Sequence, residues 1–261
     1  MIVARGIHVR LGGVEVLHDV DFTARPGEVM AIVGPNGSGK TTLMRALTGE
    51  VDHAGSIEIG GRDIRSAKGW ELAVRRAVLP QATTLAFPFT VIEVVRMGLM
   101  TGAFGEDASL PYRALAEVGL AGYEGRFFQE LSGGEQQRAH LARVLVQVWR
   151  PVGVDGPCWL LLDEPVSSLD IAHQLEVMAI VTRYAREGGG VVAVMHDLNL
   201  TALHADKVLL MKEGRRRAFG PPQEVMTDAI LSDVYGCRLH VGATPAGAIP
   251  FLLPHCASLA S

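Results

Sequence analysis

The stretch that decides the fold is Gly34-Pro35-Asn36-Gly37-Ser38-Gly39-Lys40-Thr41-Thr42. It fits G-x-x-x-x-G-K-[ST], the phosphate-binding P-loop. Val29–Val33 is a short apolar run that predicts a buried strand before it, and Leu43–Thr48 predicts a helix after it. A glycine-rich loop in this position turns backbone N–H groups inward and adds the positive end of a helix dipole. We therefore predict a cradle for nucleotide phosphates, in which Lys40 reaches the β- and γ-phosphates and the Thr41 hydroxyl is a ligand of Mg²⁺.

The bulk composition restricts the class of protein. The chain has 261 residues, 48% of them hydrophobic and 20% charged, with a net charge of −4. This apolar content suits strands that are buried on both faces, and the negative charge argues against nucleic acid as a partner. We expect no membrane span, because no apolar run approaches about 18 residues, and no secretory signal, because the N-terminus lacks a basic start followed by a long apolar stretch. Three cysteines without a C-x-x-C pair support neither a disulfide framework nor a zinc site.

The pattern along the chain predicts one α/β domain with two additions. Short apolar runs before residue 25 predict a small antiparallel sheet, and helical periodicity replaces strand character after Gln81. Strands return at Trp159–Asp163 and Val191–Met195, with a helical stretch between them, which predicts parallel βαβ units. We predict a core at 1–81 and 150–235, a helical subdomain at 82–149 and a C-terminal tail at 236–261, all within the single domain 1–261.

Two carboxylates follow the apolar run Trp159-Leu160-Leu161-Leu162. Asp163, at the carboxyl end of the predicted strand, is placed to hold the Mg²⁺ that bridges the phosphates. Glu164 would lie beside the γ-phosphate and orient or deprotonate the attacking water. The alternative, an exposed acidic turn, is common when such a pair stands alone, but here a P-loop lies upstream.

Two more polar residues end predicted strands. His196 follows Val191–Met195, where an imidazole can hydrogen-bond the γ-phosphate or the attacking water. Gln81 follows the strand Ala77–Leu79 and can offer its amide oxygen to Mg²⁺ or to water. Ligands bind at the carboxyl ends of strands in open parallel sheets, so the position of both residues favours a functional role. A lone histidine is otherwise more often structural.

A second anion cradle is predicted in Leu131-Ser132-Gly133-Gly134-Glu135-Gln136-Gln137-Arg138. Ser132 can cap the helix that follows, and Gly133 and Gly134 leave backbone N–H groups open. An ordinary capped helix would explain Ser132 but not the two glycines. Since a nucleotide has one γ-phosphate and the chain has two cradles, we predict a head-to-tail dimer with each nucleotide between one chain's P-loop and the other chain's Ser132 helix.

The motifs GPNGSGKTT, Gln81, LSGGEQQ, WLLLDEP, SSLD and His196 occur in an order that resembles the ATP-binding cassette (ABC) ATPases, over nearly the whole chain. The resemblance implies an ATPase of the P-loop NTPase fold that uses ATP and Mg²⁺. It also implies that Gln136 contributes to the nucleotide site with the Ser132 cradle. Asp170 ends the loop through which two subunits communicate. A P-loop kinase is the rival class, and LSGGEQQ argues against it.

A finer resemblance concerns the transported solute. VLPQ, FPFTVIEVVRMG, HDLNLTALHADKVLLMKEG and DVYG resemble the haem, siderophore and cobalamin importers, and most closely the bacterial haem importers. This implies a homodimer bound to two permease subunits on the cytoplasmic face of the inner membrane, working with a periplasmic haem-binding protein. Phe87 and Phe89 would dock the permease, although core packing explains either residue equally well. Import of a ferric siderophore or cobalamin, or a non-transport role, are the alternatives.

Leu11 departs from the family pattern. By resemblance it occupies the place of an aromatic residue that stacks on adenine in the N-terminal sheet. Leucine offers apolar contact but no aromatic face, so the resemblance implies that Leu11 touches the base and binds it weakly. Val166, where the family commonly has threonine, is a smaller departure.

Overall fold

The computed structural model describes residues 1–81, 87–101, 107–244, 247 and 250–257. The predicted subdomain boundary at residue 82 and part of the predicted tail 236–261 lie outside the described residues. The strands are β1 (Ile2–Leu11), β2 (Val14–Ala24), β3 (Val29–Val33), β4 (Ala54–Ile59), β5 (Arg62–Asp63), β6 (Arg76–Leu79), β7 (Val152–Gly153), β8 (Gly156–Pro157), β9 (Trp159–Asp163), β10 (Gly190–Val194), β11 (Lys207–Lys212) and β12 (Arg215–Gly220). The helices are α1 (Lys40–Leu47), α2 (Gly69–Ala73), α3 (Val91–Thr101), α4 (Leu110–Glu117), α5 (Gly133–Gln147), α6 (Ile171–Arg186), α7 (Leu198–His204), α8 (Pro222–Val225) and α9 (Asp228–Tyr235).

The central sheet has the order β12-β11-β3-β10-β9-β6. All neighbours in it are parallel except the β11–β12 hairpin. Every residue of β3, β9 and β10 is buried, because one hydrophobic core lies on each face of the sheet. Burial on both faces explains why these strands are unbroken apolar runs. The carboxyl ends of β3, β10, β9 and β6 meet side by side at one edge, which confirms the predicted α/β class with a parallel sheet.

A second, antiparallel sheet with the order β2-β1-β4-β5 flanks this core. The short apolar runs before residue 25 belong to two long strands, β1 and β2, whose pairing shifts three times: between Ala4 and Ile7, between Ile7 and Val9, and between Val9 and Arg10. These irregularities break the simple alternation of apolar and polar residues. The predicted antiparallel sheet at the N-terminus is therefore present, with fewer and longer strands than its short runs suggested.

Helices α3, α4 and α5 pack together beside the sheet and share its larger core. Gly98 of α3 allows a close approach to α5, since a Cβ atom there would lie 2.1 Å from the carbonyl oxygen of Arg143. Helix α5 ends at Gln147. The Tyr184 hydroxyl donates to the Val148 carbonyl at 3.1 Å, so a tertiary contact fixes the end of the helix. Within the described ranges, no helix combines the length and apolar character needed to cross a membrane.

Candidate nucleotide-binding site

The P-loop connects the end of β3 to the start of α1. Gly34 has a φ of 148°, and a Cβ atom there would lie 2.2 Å from the carbonyl oxygen of Met211, so no other residue fits. The Lys40 ammonium donates to the carbonyls of Gly34 at 2.8 Å and Pro35 at 3.1 Å. Burial lowers the pKa of Lys40, while the nearby Glu164 and Asp163 carboxylates oppose that shift. The loop therefore holds a buried cation across its own opening.

Two buried polar atoms at this edge of the sheet have no hydrogen-bond partner in the described part of the chain. They are Ser38 Oγ in the loop and Asp163 Oδ1 at the end of β9. Both residues are at most 3% exposed. Buried polar atoms nearly always have a partner, and leaving one unpaired costs about 1–3 kcal/mol. These two unpaired atoms therefore indicate where a polar ligand can bind.

Asp163 has the surroundings of a cation ligand. The Thr41 hydroxyl hydrogen-bonds to its carboxylate, while burial and then the neighbouring Glu164 raise the pKa of Asp163 to about 6. Hydroxyl, carboxylate and amide oxygens are the donors that Mg²⁺ takes in nucleotide sites. Thr41, Asp163 and Gln81 supply that set, so these residues could hold Mg²⁺.

Glu164 is held at the centre of the same edge. Its carboxylate oxygen Oε1 lies 2.6 Å from Nε2 of His196 and accepts from Nε2 of Gln81 at 2.8 Å. Its backbone has a φ of 55°, a left-handed conformation that non-glycine residues rarely adopt, and its N–H donates to the Val194 carbonyl at 3.2 Å. The structure thus brings together the residues that end β6, β9 and β10. A carboxylate held in this way can orient or accept a proton from a water molecule.

An open cleft of about 590 Å³ joins these features. Val16, Gln81, Glu164 and His196 line it together with P-loop residues Asn36, Gly37, Gly39, Lys40, Thr41 and Thr42. Leu11 ends β1 opposite Val14 and is 37% exposed. Among the described residues of this hairpin, Val16 and not Leu11 contributes to the cleft wall. The predicted contact between Leu11 and a base stays a prediction.

The Ser132 segment lies outside this cleft. Ser132 caps α5 through a reciprocal pair, because its hydroxyl accepts from the Glu135 N–H at 3.3 Å and Glu135 Oε2 accepts from the Ser132 N–H at 2.8 Å. A Cβ atom on Gly134 would lie 3.2 Å from the backbone of Ser168. No residue of Ser132–Gln136 is among those that line the cleft in the described part of the chain. One chain therefore does not bring its two cradles together.

Gln136 and Asp170 support local structure. The Gln136 amide donates to the carbonyls of Leu131 at 3.0 Å and Phe128 at 3.3 Å. Asp170 caps α6, where its carboxylate accepts from the His173 N–H at 3.0 Å. Their predicted contacts with a nucleotide stay predictions.

Sequence reasoning missed two residues that hold the site. The Gln137 amide donates to the Glu164 carbonyl at 3.2 Å. The Gly34 backbone hydrogen-bonds to the Tyr235 hydroxyl, which opposes the rise that burial causes in the pKa of Tyr235. Gln137 belongs to the LSGGEQQ motif, but nothing in that motif indicated its contact with Glu164. Tyr235 is far away in the sequence and gave no signal.

Comparison with known proteins agrees with this geometry. Residues 17–167 match the ABC transporter family. The chain is 61% identical to the hemin import ATP-binding protein HmuV of Jannaschia sp. (strain CCS1), over 98% of this chain and 95% of the relative. It is 58% identical to the HmuV protein of Roseobacter denitrificans, over 98% of both.

Solved structures share the fold. The ATP-binding subunit of an ABC transporter superposes with a TM-score of 0.75 at 22% identity, over 94% of this chain and 95% of that one. An ATP-binding cassette of an ABC transporter in its ADP conformation gives 0.73 at 22% identity, over 90% and 98%. The motif match, the near full-length relatives and the site geometry converge: the chain belongs to the ABC transporter family of ATP-binding proteins.

Proposed function

We propose that this chain is the ATP-hydrolysing subunit of a bacterial importer that powers haem uptake across the inner membrane. ATP hydrolysis is proposed because of the Glu164 carboxylate, which hydrogen-bonds to His196 and Gln81. All three side chains line the same cleft as the P-loop. Haem is proposed as the solute because the relatives of about 60% identity are named hemin import proteins.

Phosphate binding rests on the P-loop and Lys40. The inward N–H groups and the N-terminus of α1 favour anions, and the Lys40 ammonium needs only to leave two backbone carbonyls to reach them. When bound at Thr41, Asp163 and Gln81, Mg²⁺ supplies positive charge beside the phosphates. A nearby cation favours the ionised form of Asp163, whose pKa burial raises to about 6 in this structure.

Hydrolysis requires a water molecule aimed at the terminal phosphate. Glu164 is the group placed to orient that water and accept its proton, since its carboxylate is fixed by two neighbours and is only 12% exposed. His196 is 43% exposed at the cleft and can donate to the γ-phosphate or to the water. Catalysis would come mainly from positioning and charge stabilisation by these side chains.

The active form is a homodimer in this proposal. The Ser132 cradle is on the surface and outside the cleft of its own chain, so a second chain must bring its cradle to the nucleotide. Ser168 and Leu169, in the loop that ends at Asp170, pack beside Gly134, and this loop would face the other subunit. Ser132, Gly133, Gly134 and Gln136 then complete the partner's site.

Two permease subunits would bind the homodimer, one to each chain between α2, α3 and α5, with the chain on the cytoplasmic face of the inner membrane. An open groove of about 390 Å³ lies there, lined by residues such as Leu72 and Met97. Trp70 on α2 and Met100 on α3 expose large apolar side chains, and Phe87 before α3 is 68% exposed. Phe89, in contrast, packs against the core. Phe87 is therefore the better of the two predicted docking aromatics.

Reconstitution tests the proposal. The chain would be placed in proteoliposomes with its cognate permease and periplasmic binding protein, and ATP-dependent uptake of haem would be measured, with a Glu164→Gln complex as the control. We expect uptake only with the unmodified chain and ATP. Uptake of a ferric siderophore or cobalamin but not haem would contradict the solute. ATP hydrolysis with no uptake and no response to the permease would favour a non-transport ABC ATPase.

A further inference from the structure

Helix α5 packs in the larger core, and two of its glutamine side chains, one near each end, also hydrogen-bond to the backbone of other elements. Gln137, in its second turn, donates its amide N–H to the Glu164 carbonyl at 3.2 Å. Gln147, its last residue, donates to the carbonyls of Ala73 at 2.9 Å and Arg76 at 3.0 Å. Both side chains are partly buried, and all three bonds join a neutral amide to a backbone carbonyl. Only the first of the two reaches the proposed catalytic centre.

The Glu164 peptide that Gln137 contacts is in an unfavourable conformation. Its φ of 55° is stable only if surrounding bonds hold it. The N–H is held by the Val194 carbonyl. The carbonyl accepts from the Ser167 N–H and hydroxyl, both at 3.3 Å, which belong to the same loop, and from Gln137, which comes from another element. Among the described residues, Gln137 thus provides the hydrogen bond between the Glu164 carbonyl and a helix.

We infer that Gln137 is a positioning residue for Glu164 and links the Ser132 cradle to the catalytic carboxylate of the same chain. The inference rests on the proposed ATPase function. Ser132 and Gln137 are five residues apart on one helix end, about 7.5 Å along its axis. Rotation of the Glu164 peptide would move its carboxylate away from His196 and Gln81. A phosphate bound at Ser132 therefore acts through the N-terminal turns of α5 on the Glu164 of its own chain.

The first experiment removes the donor and keeps the shape. Gln137→Met and Gln137→Glu are compared with Gln147→Met, the matched control on the same helix. We expect both Gln137 variants to lower kcat about three- to tenfold, the range that one neutral hydrogen bond provides. The KM for ATP and the affinity for ATP should stay within about twofold, because Gln137 does not line the cleft. Gln147 lines the groove proposed for the permease but not the cleft, so kcat is measured on the ATPase subunit without a permease; there Gln147→Met should lower the melting temperature and leave kcat unchanged.

If Gln137 only stabilised the fold, its two variants would behave like Gln147→Met: the melting temperature would fall, and kcat would not fall selectively while KM stayed the same. Equal kcat values for wild type and both Gln137 variants would therefore overturn the positioning role. If the wild type itself releases no phosphate, the proposed function fails instead. If Glu164→Gln is inactive and both Gln137 variants are fully active, only this inference fails.

The second experiment tests the link to Ser132. Ser132→Ala, Gln137→Met and the double variant form a cycle in which kcat is measured. If the start of α5 acts as one unit, the double variant should lose clearly less than the product of the two single losses. Losses that multiply would show that the two residues act independently and would overturn the link.

Discussion

The two glycine-rich cradles of this chain lie in opposite surroundings. The P-loop cradle lies at the carboxyl ends of four parallel strands, β3, β10, β9 and β6, and its Ser38 and Lys40 side chains are buried. The Ser132 cradle lies at the exposed start of α5, and its hydroxyl is already paired with Glu135. The first has buried polar atoms that lack partners, and the second has satisfied polar atoms at the surface.

This difference explains how the two regions can share one ligand. Strand ends deliver Gln81, Glu164 and His196 to the P-loop from the same chain, so that half of the site is assembled on folding. The Ser132 helix belongs to the packed bundle of α3, α4 and α5, and its neighbours at Gly134 are Ser168 and Leu169. The second cradle is therefore built to be presented to another molecule, and we propose a second copy of this chain.

The largest effect is expected at the P-loop cradle. Glu164→Gln keeps the shape of the side chain and removes the base, so turnover should fall at least about 100-fold while ATP still binds. Phosphate release and equilibrium ATP binding would be measured. Glu213→Gln is the matched control, because Glu213 also has a left-handed backbone, with a φ of 49°, but lies in an exposed turn. Near wild-type turnover in Glu164→Gln would show that another group activates the water.

The second effect concerns the helix that carries the Ser132 cradle. His140 on α5 is 6% exposed, and burial followed by the nearby Arg143 lowers its pKa to about 4. Since the unfolded chain binds this proton at about pH 6.5 and the folded chain at about pH 4, stability should fall as the pH drops between those values. At pH 5 the loss from this group is about 2 kcal/mol.

Chemical unfolding at pH 7 and at pH 5 measures this loss in the free energy of unfolding. His140→Phe, which removes the titrating group and can pack against the Phe128 ring, should lose about 2 kcal/mol less than wild type between the two pH values. The quantity compared is the change in unfolding free energy between pH 7 and pH 5, so a constant difference in packing between the two proteins does not affect the result. An equal change in wild type and His140→Phe would show that His140 does not stay neutral in the folded chain.

The smallest effect is expected on the base side of the P-loop cleft. Leu11 offers no aromatic face, so GTP should be hydrolysed within about tenfold of ATP, and Leu11→Tyr should tighten ATP binding by about tenfold if it reaches the base. Val14→Tyr on the facing strand is the control, because Val14 pairs with Leu11 and is outside the cleft lining. Strong ATP preference in the wild type, or equal affinities in both tyrosine variants, would contradict a role for Leu11.

The arrangement of the P-loop cleft followed from the sequence. Each of Gln81, Asp163 and His196 comes directly after or at the end of an apolar run, and parallel strands end at a common edge. The order of the motifs therefore predicted which side chains meet, although not the order of the strands in the sheet. The capped start of α5 was equally readable, because Ser132 and Glu135 have the spacing of a capping box.

Other features depend on distant contacts that local patterns do not record. The pairing of β1 and β2 shifts between Val9 and Arg10, which leaves Val16 outside the register pairs, and Val16 rather than Leu11 lines the cleft. The left-handed backbone of Glu164 and its bond to Gln137 require the packed sheet and helix together. The hydrogen bond between Gly34 and Tyr235 joins residues from opposite ends of the chain.

Mixed dimers test the central claim, that each chain completes the other's site, most directly. Lys40→Ala damages the P-loop cradle, Ser132→Arg damages the second cradle, and each homodimer should be inactive. In a mixed dimer both lesions fall in one composite site and the other site is intact. Random pairing of equal amounts should therefore restore roughly a quarter of the wild-type rate of phosphate release. Full activity of the Ser132→Arg homodimer would contradict the account.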